Sequence, residues 1–194
     1  MANARNTGCL VIGDAFCEAD GMNDLLKCLT EQGVRAEAFR ISEQQSLYHD
    51  LQMAYQRVRR DDAPSAIAAW GAGCDCALAI AGQLPVDRVI LISPRALQAR
   101  GERSKPLARV RRYARRGMAF CVADALIVSF GEAGRAEREL LEGLCNCRAV
   151  LAEFPREAWP KGKKDINLMV SRFLCAGVLP KSLAENSEMC IIYG

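Results

Sequence analysis

Short apolar runs that alternate with amphipathic stretches of helical spacing constrain this chain more than any other feature. The clearest run is Val-Ile-Leu-Ile within Arg88–Ser93, a continuous hydrophobic segment that suits a strand covered on both faces. Similar runs occur at Cys9–Ile12, Val34–Ile41, Ser65–Trp70, Ala123–Phe130 and Arg148–Phe154. Between them, Met22, Leu25, Leu26 and Leu29 recur at helical spacing, as do Leu47, Leu51, Ala54 and Val58. Cys74–Leu84 is apolar almost all round and reads as a buried helix. Leu107, Val110, Ala114 and Met118 line one face of the next helix, Ala136–Cys145 forms another, and Ile166, Met169, Val170, Phe173 and Leu174 mark a closing one. Six strands alternating with helices predict a three-layer, open, mostly parallel α/β sheet with helices on both faces. No linker divides residues 1–176, so a single domain is expected there. In the tail 177–194, Met189–Tyr193 is a candidate edge strand.

At 194 residues, 51% hydrophobic and 25% charged, the chain can bury a sizeable core, which excludes a disordered class. No apolar run reaches the roughly 18 residues that span a bilayer. The stretch before Cys9 carries no basic region or cleavage site, so a cytoplasmic protein away from membranes is expected. Ten cysteines are many for this length, and two pairs, Cys74 with Cys76 and Cys145 with Cys147, have Cys-x-Cys spacing. The chain has no Cys-x-x-Cys, and its one histidine, His49, is distant in sequence from both pairs. No metal or other cofactor is expected, and the cysteines read as small buried hydrophobes.

The net charge of +3 is too small to imply a nucleic-acid partner, but its distribution is uneven. Between Arg95 and Arg116 the chain holds nine basic residues against one acid, Glu102. Arg109, Arg111, Arg112, Arg115 and Arg116 are expected on the solvated faces of the helix after Pro94, where they offer a possible contact for an acidic protein surface. Nucleic acid is disfavoured, because only Tyr113 accompanies these arginines.

Functional residues of an open parallel sheet gather outside the carboxyl ends of its strands. The most informative such end runs from Ala66 to Ala81, where a strand, the glycine-rich turn Trp70-Gly-Ala-Gly73 and a small-residue helix follow directly. The segment Leu84–Pro94 then supplies the following strand. This arrangement resembles the nucleophile elbow and succeeding strand of the α/β-hydrolase superfamily, especially its small cap-less serine hydrolases. The similarity covers Cys9 to Leu174 and begins at what would be the family's third strand. It implies an α/β-hydrolase-like core of about six strands that lacks the first two.

The family's elbow is G-x-S-x-G, with the serine on a strained turn. Here the five positions are Ala69, Trp70, Gly71, Ala72 and Gly73, so Gly71 stands where the nucleophile would be. The family's acid follows the next-to-last strand, where Gly131-Glu-Ala-Gly-Arg135 places Gly134. Its histidine follows the last strand, where the loop Phe154–Gly162 places Glu157. A serine mechanism needs a base that takes the hydroxyl proton and returns it to the leaving group, and these positions supply none. The positions matching the family's oxyanion hole are Gly13, Asp14, Ala15 and Ala72, whose backbone donors survive side-chain loss. Asp75, on the first helical turn, reads as favourable to the helix dipole. Ser93 matches a structural position of the family. The expectation is a non-catalytic protein that acts by binding a small ligand or a protein. The alternative is a hydrolase of esterase or thioesterase type that uses non-standard residues such as Cys74 or Cys76.

Overall fold

The computed structural model describes residues 7–13, 19–41, 46–94, 105–131, 134–144, 146–155, 163–176 and 190–193. Its elements follow in the order β1 (Gly8–Gly13), α1 (Ala19–Glu31), β2 (Arg35–Arg40), α2 (Leu47–Val58), β3 (Ser65–Trp70), α3 (Gly73–Ala81) and β4 (Arg88–Ile92). They continue through α4 (Lys105–Phe120), β5 (Asp124–Phe130), α5 (Arg135–Gly143), β6 (Ala149–Phe154), α6 (Lys163–Ala176) and β7 (Cys190–Tyr193).

The sheet has the order β2-β1-β3-β4-β5-β6-β7. The first six strands are parallel, and β7 pairs antiparallel with β6, Cys190 opposite Glu153 and Tyr193 opposite Val150. The six parallel strands are those read from the hydrophobic pattern, and the edge strand lies inside the predicted Met189–Tyr193. The chain leaves β1 toward β2 on one side and then crosses to β3 on the other. The strand order therefore switches direction between β1 and β3, and in such sheets ligands bind beside the carboxyl ends at this point.

Side chains alternate across each strand and feed two cores. Leu10, Ile12, Ile67, Ala69, Leu91, Ile127 and Leu151 face a core completed by α2, α3, α4 and α5. Cys9, Val11, Ala66, Ala68, Ile90, Leu126 and Val128 face the opposite core, closed by α1 and α6. These two helices also bond directly, Gln32 Nε2 donating to Ser171 Oγ at 2.8 Å. β2 lies at the sheet's other edge and is more polar and more exposed than β1 and β3. No helix among the described residues is long and apolar enough to cross a membrane.

The most extensive helix–helix contact joins α3 to α4. Glycines make it possible: a Cβ on Gly117 would sit 2.2 Å from Leu78 O, and one on Gly82 would sit 2.0 Å from Gly117 Cα. This contact also corrects the reading of the basic helix. Its buried positions are Val110, Arg111, Ala114 and Gly117, while Leu107 and Met118 are only half-buried. Arg109, Arg112, Arg115 and Arg116 are exposed as expected, but Arg111 is not. Its Nε donates to Asp75 Oδ2 at 2.8 Å, and the two side chains keep 11% and 5% of their exposure. Asp75 thus anchors an ion pair inside the helical layer, beyond any role at the helix dipole.

Breaking a buried pair by truncating one partner leaves the other charge desolvated, at a cost of about 3–5 kcal/mol. Asp75→Ala is expected to cost that much in urea unfolding, whereas Arg112→Glu or Arg116→Glu changes stability by about 0.5 kcal/mol or less. Gly117→Ala is expected to cost about 1–3 kcal/mol or more through overpacking. A urea midpoint unchanged by Gly117→Ala contradicts the close helix approach.

Candidate functional site

The carboxyl ends of β1, β3 and β4 come together around the turn that follows Trp70. Gly71 has φ 53°, in the left-handed region where a Cβ is unfavourable and glycine is not. Its N–H donates to Ile92 O at 3.0 Å, which ties the turn to the end of β4. Ala72 is already helical, and Cys74 N–H donates back to Gly71 O at 3.2 Å as α3 starts. Gly73 lets that start rest on β1, since a Cβ there would sit 2.9 Å from Ile12 O. A strand, a left-handed residue and a helix packed close on the neighbouring strand are the parts of a nucleophile elbow. The backbone has this shape, with Gly71 as its left-handed residue.

Of the other expected site residues, Gly13 ends β1 and is buried. Gly134 caps α5 with extended backbone, close after the carboxyl end of β5. Asp14, Ala15 and Glu157 lie outside the described residues, as do Cys145 and Glu102. His49 is exposed on α2.

The two cysteines named for a hydrolase alternative lie just behind the turn and are sealed from solvent, Cys74 at 2% and Cys76 at 0% exposure. The Cys74 thiol points at backbone carbonyls, 3.4 Å from Ala69 O and 3.7 Å from Ile92 O. Cys9, on β1, is buried as well, and burial pushes its thiol up to about 12. Among the described residues no group of three or more histidine, cysteine or acidic side chains gathers as metal ligands would.

Two features at this end of the sheet go beyond the sequence reading, which names Ser93 only as a structural position. Ser93 has φ 46° in a conformation that non-glycine residues rarely adopt, and it is exposed at the end of β4, next to the turn. Trp70 Nε1 is buried with no hydrogen-bond partner among the described residues. Neither has a sequence signal, since both depend on where neighbouring backbone lies. Asp75 did carry one. A lone carboxylate in a helix that is otherwise apolar all round requires a buried cation nearby.

A cleft of about 350 Å³ lies between Arg59–Ser65 and Pro85–Asp87, at the amino ends of the strands and away from the turn. Its charged, open lining of Arg59, Arg60, Asp61 and Asp62 does not resemble an acyl pocket.

No protein-family model and no curated protein matches the sequence. Solved structures do match. The esterase domain of a Rhodothermus marinus protein superposes with a TM-score of 0.60 at 14% identity, covering 87% of this chain and 88% of that one. The thioesterase domain from the curacin biosynthetic pathway gives 0.61 at 10% identity, covering 88% and 92%. ClbQ, from the colibactin pathway, gives 0.59 at 10% identity, covering 94% and 100%. A metagenome-derived lipolytic enzyme gives 0.64 at 11% identity over 87% and 93%. At such identities the likeness speaks for architecture, and it agrees with the strand order and the elbow: this chain has an α/β-hydrolase-like fold.

Proposed function

We propose that this protein binds an acyl ester or thioester at the carboxyl end of its sheet without the serine-triad turnover of the enzymes whose fold it shares. The observation that carries this reading is Gly71. It holds the elbow's left-handed backbone and has no side chain with which to attack a carbonyl. The chain's single histidine, His49, is exposed on α2, which precedes the elbow, and not on the loop after β6 where the family's base would sit. The ligand class comes from the neighbours, which are esterases and thioesterases. The helix α3 directs its positive end toward the turn and favours a carbonyl or carboxylate oxygen there.

A second reading, a hydrolase of esterase or thioesterase type with non-standard residues, is favoured by the same neighbours. It calls for a nucleophile other than a serine at the elbow. Cys74 and Cys76 would have to leave their buried sites to serve, and the exposed, strained Ser93 is better placed to meet a substrate.

A panel of nitrophenyl esters, a fluorophosphonate probe and an N-acetylcysteamine thioester separates the two. The binding reading expects saturable thioester binding by calorimetry, with no labelling and no burst. A burst that disappears in Cys74→Ala, Cys76→Ala or Ser93→Ala establishes the hydrolase instead. Gly71→Ser is expected to lower the melting temperature, since a left-handed non-glycine residue costs about 1–2 kcal/mol. The same variant is expected to leave ester hydrolysis at the uncatalysed rate. Turnover in it would mean that a base stands within reach of the elbow.

A further inference from the structure

The face that α4 turns away from α3 carries charge of one sign and ends on bare apolar side chains. Lys105, Arg109, Arg112, Arg116 and Phe120 are all exposed and follow one another at intervals of three or four residues. That spacing holds them within about a quarter of the helix circumference, along about 22 Å of its length. The buried residues Val110, Ala114 and Gly117 lie on the opposite side, and Arg111 is withdrawn to Asp75. No acid interrupts the helix from Lys105 to Phe120. The stripe then ends in two protruding hydrophobes, Phe120 at 71% and Val122 at 73% exposure. Both point outward because Cys121 and Ala123, which alternate with them, are buried. The turn that presents them is fixed: Asn146 Nδ2 donates to Ala119 O at 2.6 Å, and Asp124 N–H donates to Asp87 O at 3.0 Å. Among the described residues the other large hydrophobic left in water is Met53 on α2, at 44%. Apolar exposure is thus concentrated where the basic stripe ends.

We propose that α4 docks the protein on a bilayer that carries anionic phospholipid. Lys105, Arg109, Arg112 and Arg116 lie against the headgroup phosphates, and Phe120 and Val122 enter the apolar layer beneath them. A guanidinium meets a phosphate with two parallel hydrogen bonds, and each cation near an anionic leaflet adds to the attraction. The charge alone would suit an acidic protein equally well, so the two hydrophobes choose the occupant. They protrude, and whatever covers them must yield around them. A lipid interface does so, whereas a folded protein would need a pocket shaped to both side chains. Docking along the flank of a helix needs no segment that crosses the membrane. Phe120 and Val122 stand at the entry of β5, at the opposite end of the sheet from Gly71, so the inserted residues leave the elbow uncovered.

Co-sedimentation of the full-length protein with large vesicles tests this, with phosphatidylcholine alone compared with phosphatidylcholine that contains phosphatidylglycerol. The protein is expected to pellet with the anionic vesicles and to stay in solution with the zwitterionic ones, and added salt weakens the binding. Arg112→Glu combined with Arg116→Glu is expected to weaken it by about thirtyfold or more. Phe120→Ser combined with Val122→Ser is expected to weaken it by about tenfold and to leave its salt dependence in place. Both double variants keep the wild-type melting temperature, since all four side chains are exposed. In Phe120→Trp, anionic vesicles shift the added emission to the blue, and brominated lipid chains quench it. The proposal is overturned by any of four results: no pelleting with anionic vesicles, equal pelleting with both lipid mixtures, binding that neither double variant weakens, or an unshifted emission in Phe120→Trp. Tighter binding to soluble polyglutamate than to the vesicles also overturns it and assigns the face to an acidic protein. The two lipid mixtures decide the matter with wild-type protein alone if a variant fails to fold.

Discussion

The helical layer over the first core depends on one buried ion pair. The α4 helix carries a dense set of arginines that would ordinarily keep it in water. It nevertheless packs against α3, a helix sealed from solvent along its whole length. The Asp75–Arg111 bond and the bare backbone at Gly82 and Gly117 together permit this approach. The glycines let the helices come close enough for the guanidinium to reach the carboxylate, and the bond satisfies two charges that could not otherwise be buried. Because α3 begins at the elbow and rests on Ile12, the same contact holds the turn at Gly71 against β1.

At the elbow, backbone shape and side-chain chemistry separate. The left-handed turn, the hydrogen bond to Ile92 and the close seat of Gly73 on β1 all belong to the main chain. They are compatible with any residue at 71 that tolerates a positive φ, and glycine tolerates it best. The helix α3 starts at this turn, its positive end beside the carboxyl ends of β1 and β3.

The cysteines show how burial alone fails to define a thiol. Cys9, Cys74, Cys76 and Cys121 are all sealed from solvent. Three of them behave as the small hydrophobes the composition suggested, with Cys74 bonded to carbonyls and Cys9 held firmly protonated. The fourth, Cys121, differs: hydrogen bonding from Cys147 and Ala123 brings its thiol down to about 7 against the effect of burial.

The alternation of apolar runs determined, without any structure, that six strands and their helices form an open parallel sheet, and the resemblance of Ala66–Ala81 to a nucleophile elbow pointed to the turn at Trp70–Gly73. Those features are legible because strand and helix periodicities are local properties of consecutive residues. The short apolar run at Met189–Tyr193 marked a candidate edge strand, and its antiparallel pairing with β6 came only from the structure. Which arginine of the basic segment turns inward was not legible: nine basic residues look alike in sequence, and only the docking angle of α4 on α3 selects Arg111. The strain at Ser93 and the buried Trp70 Nε1, without a partner among the described residues, were hidden for the same reason. Each is a relation between atoms that the chain brings together only after its strands have paired and its helices have packed, so tertiary structure alone decided them.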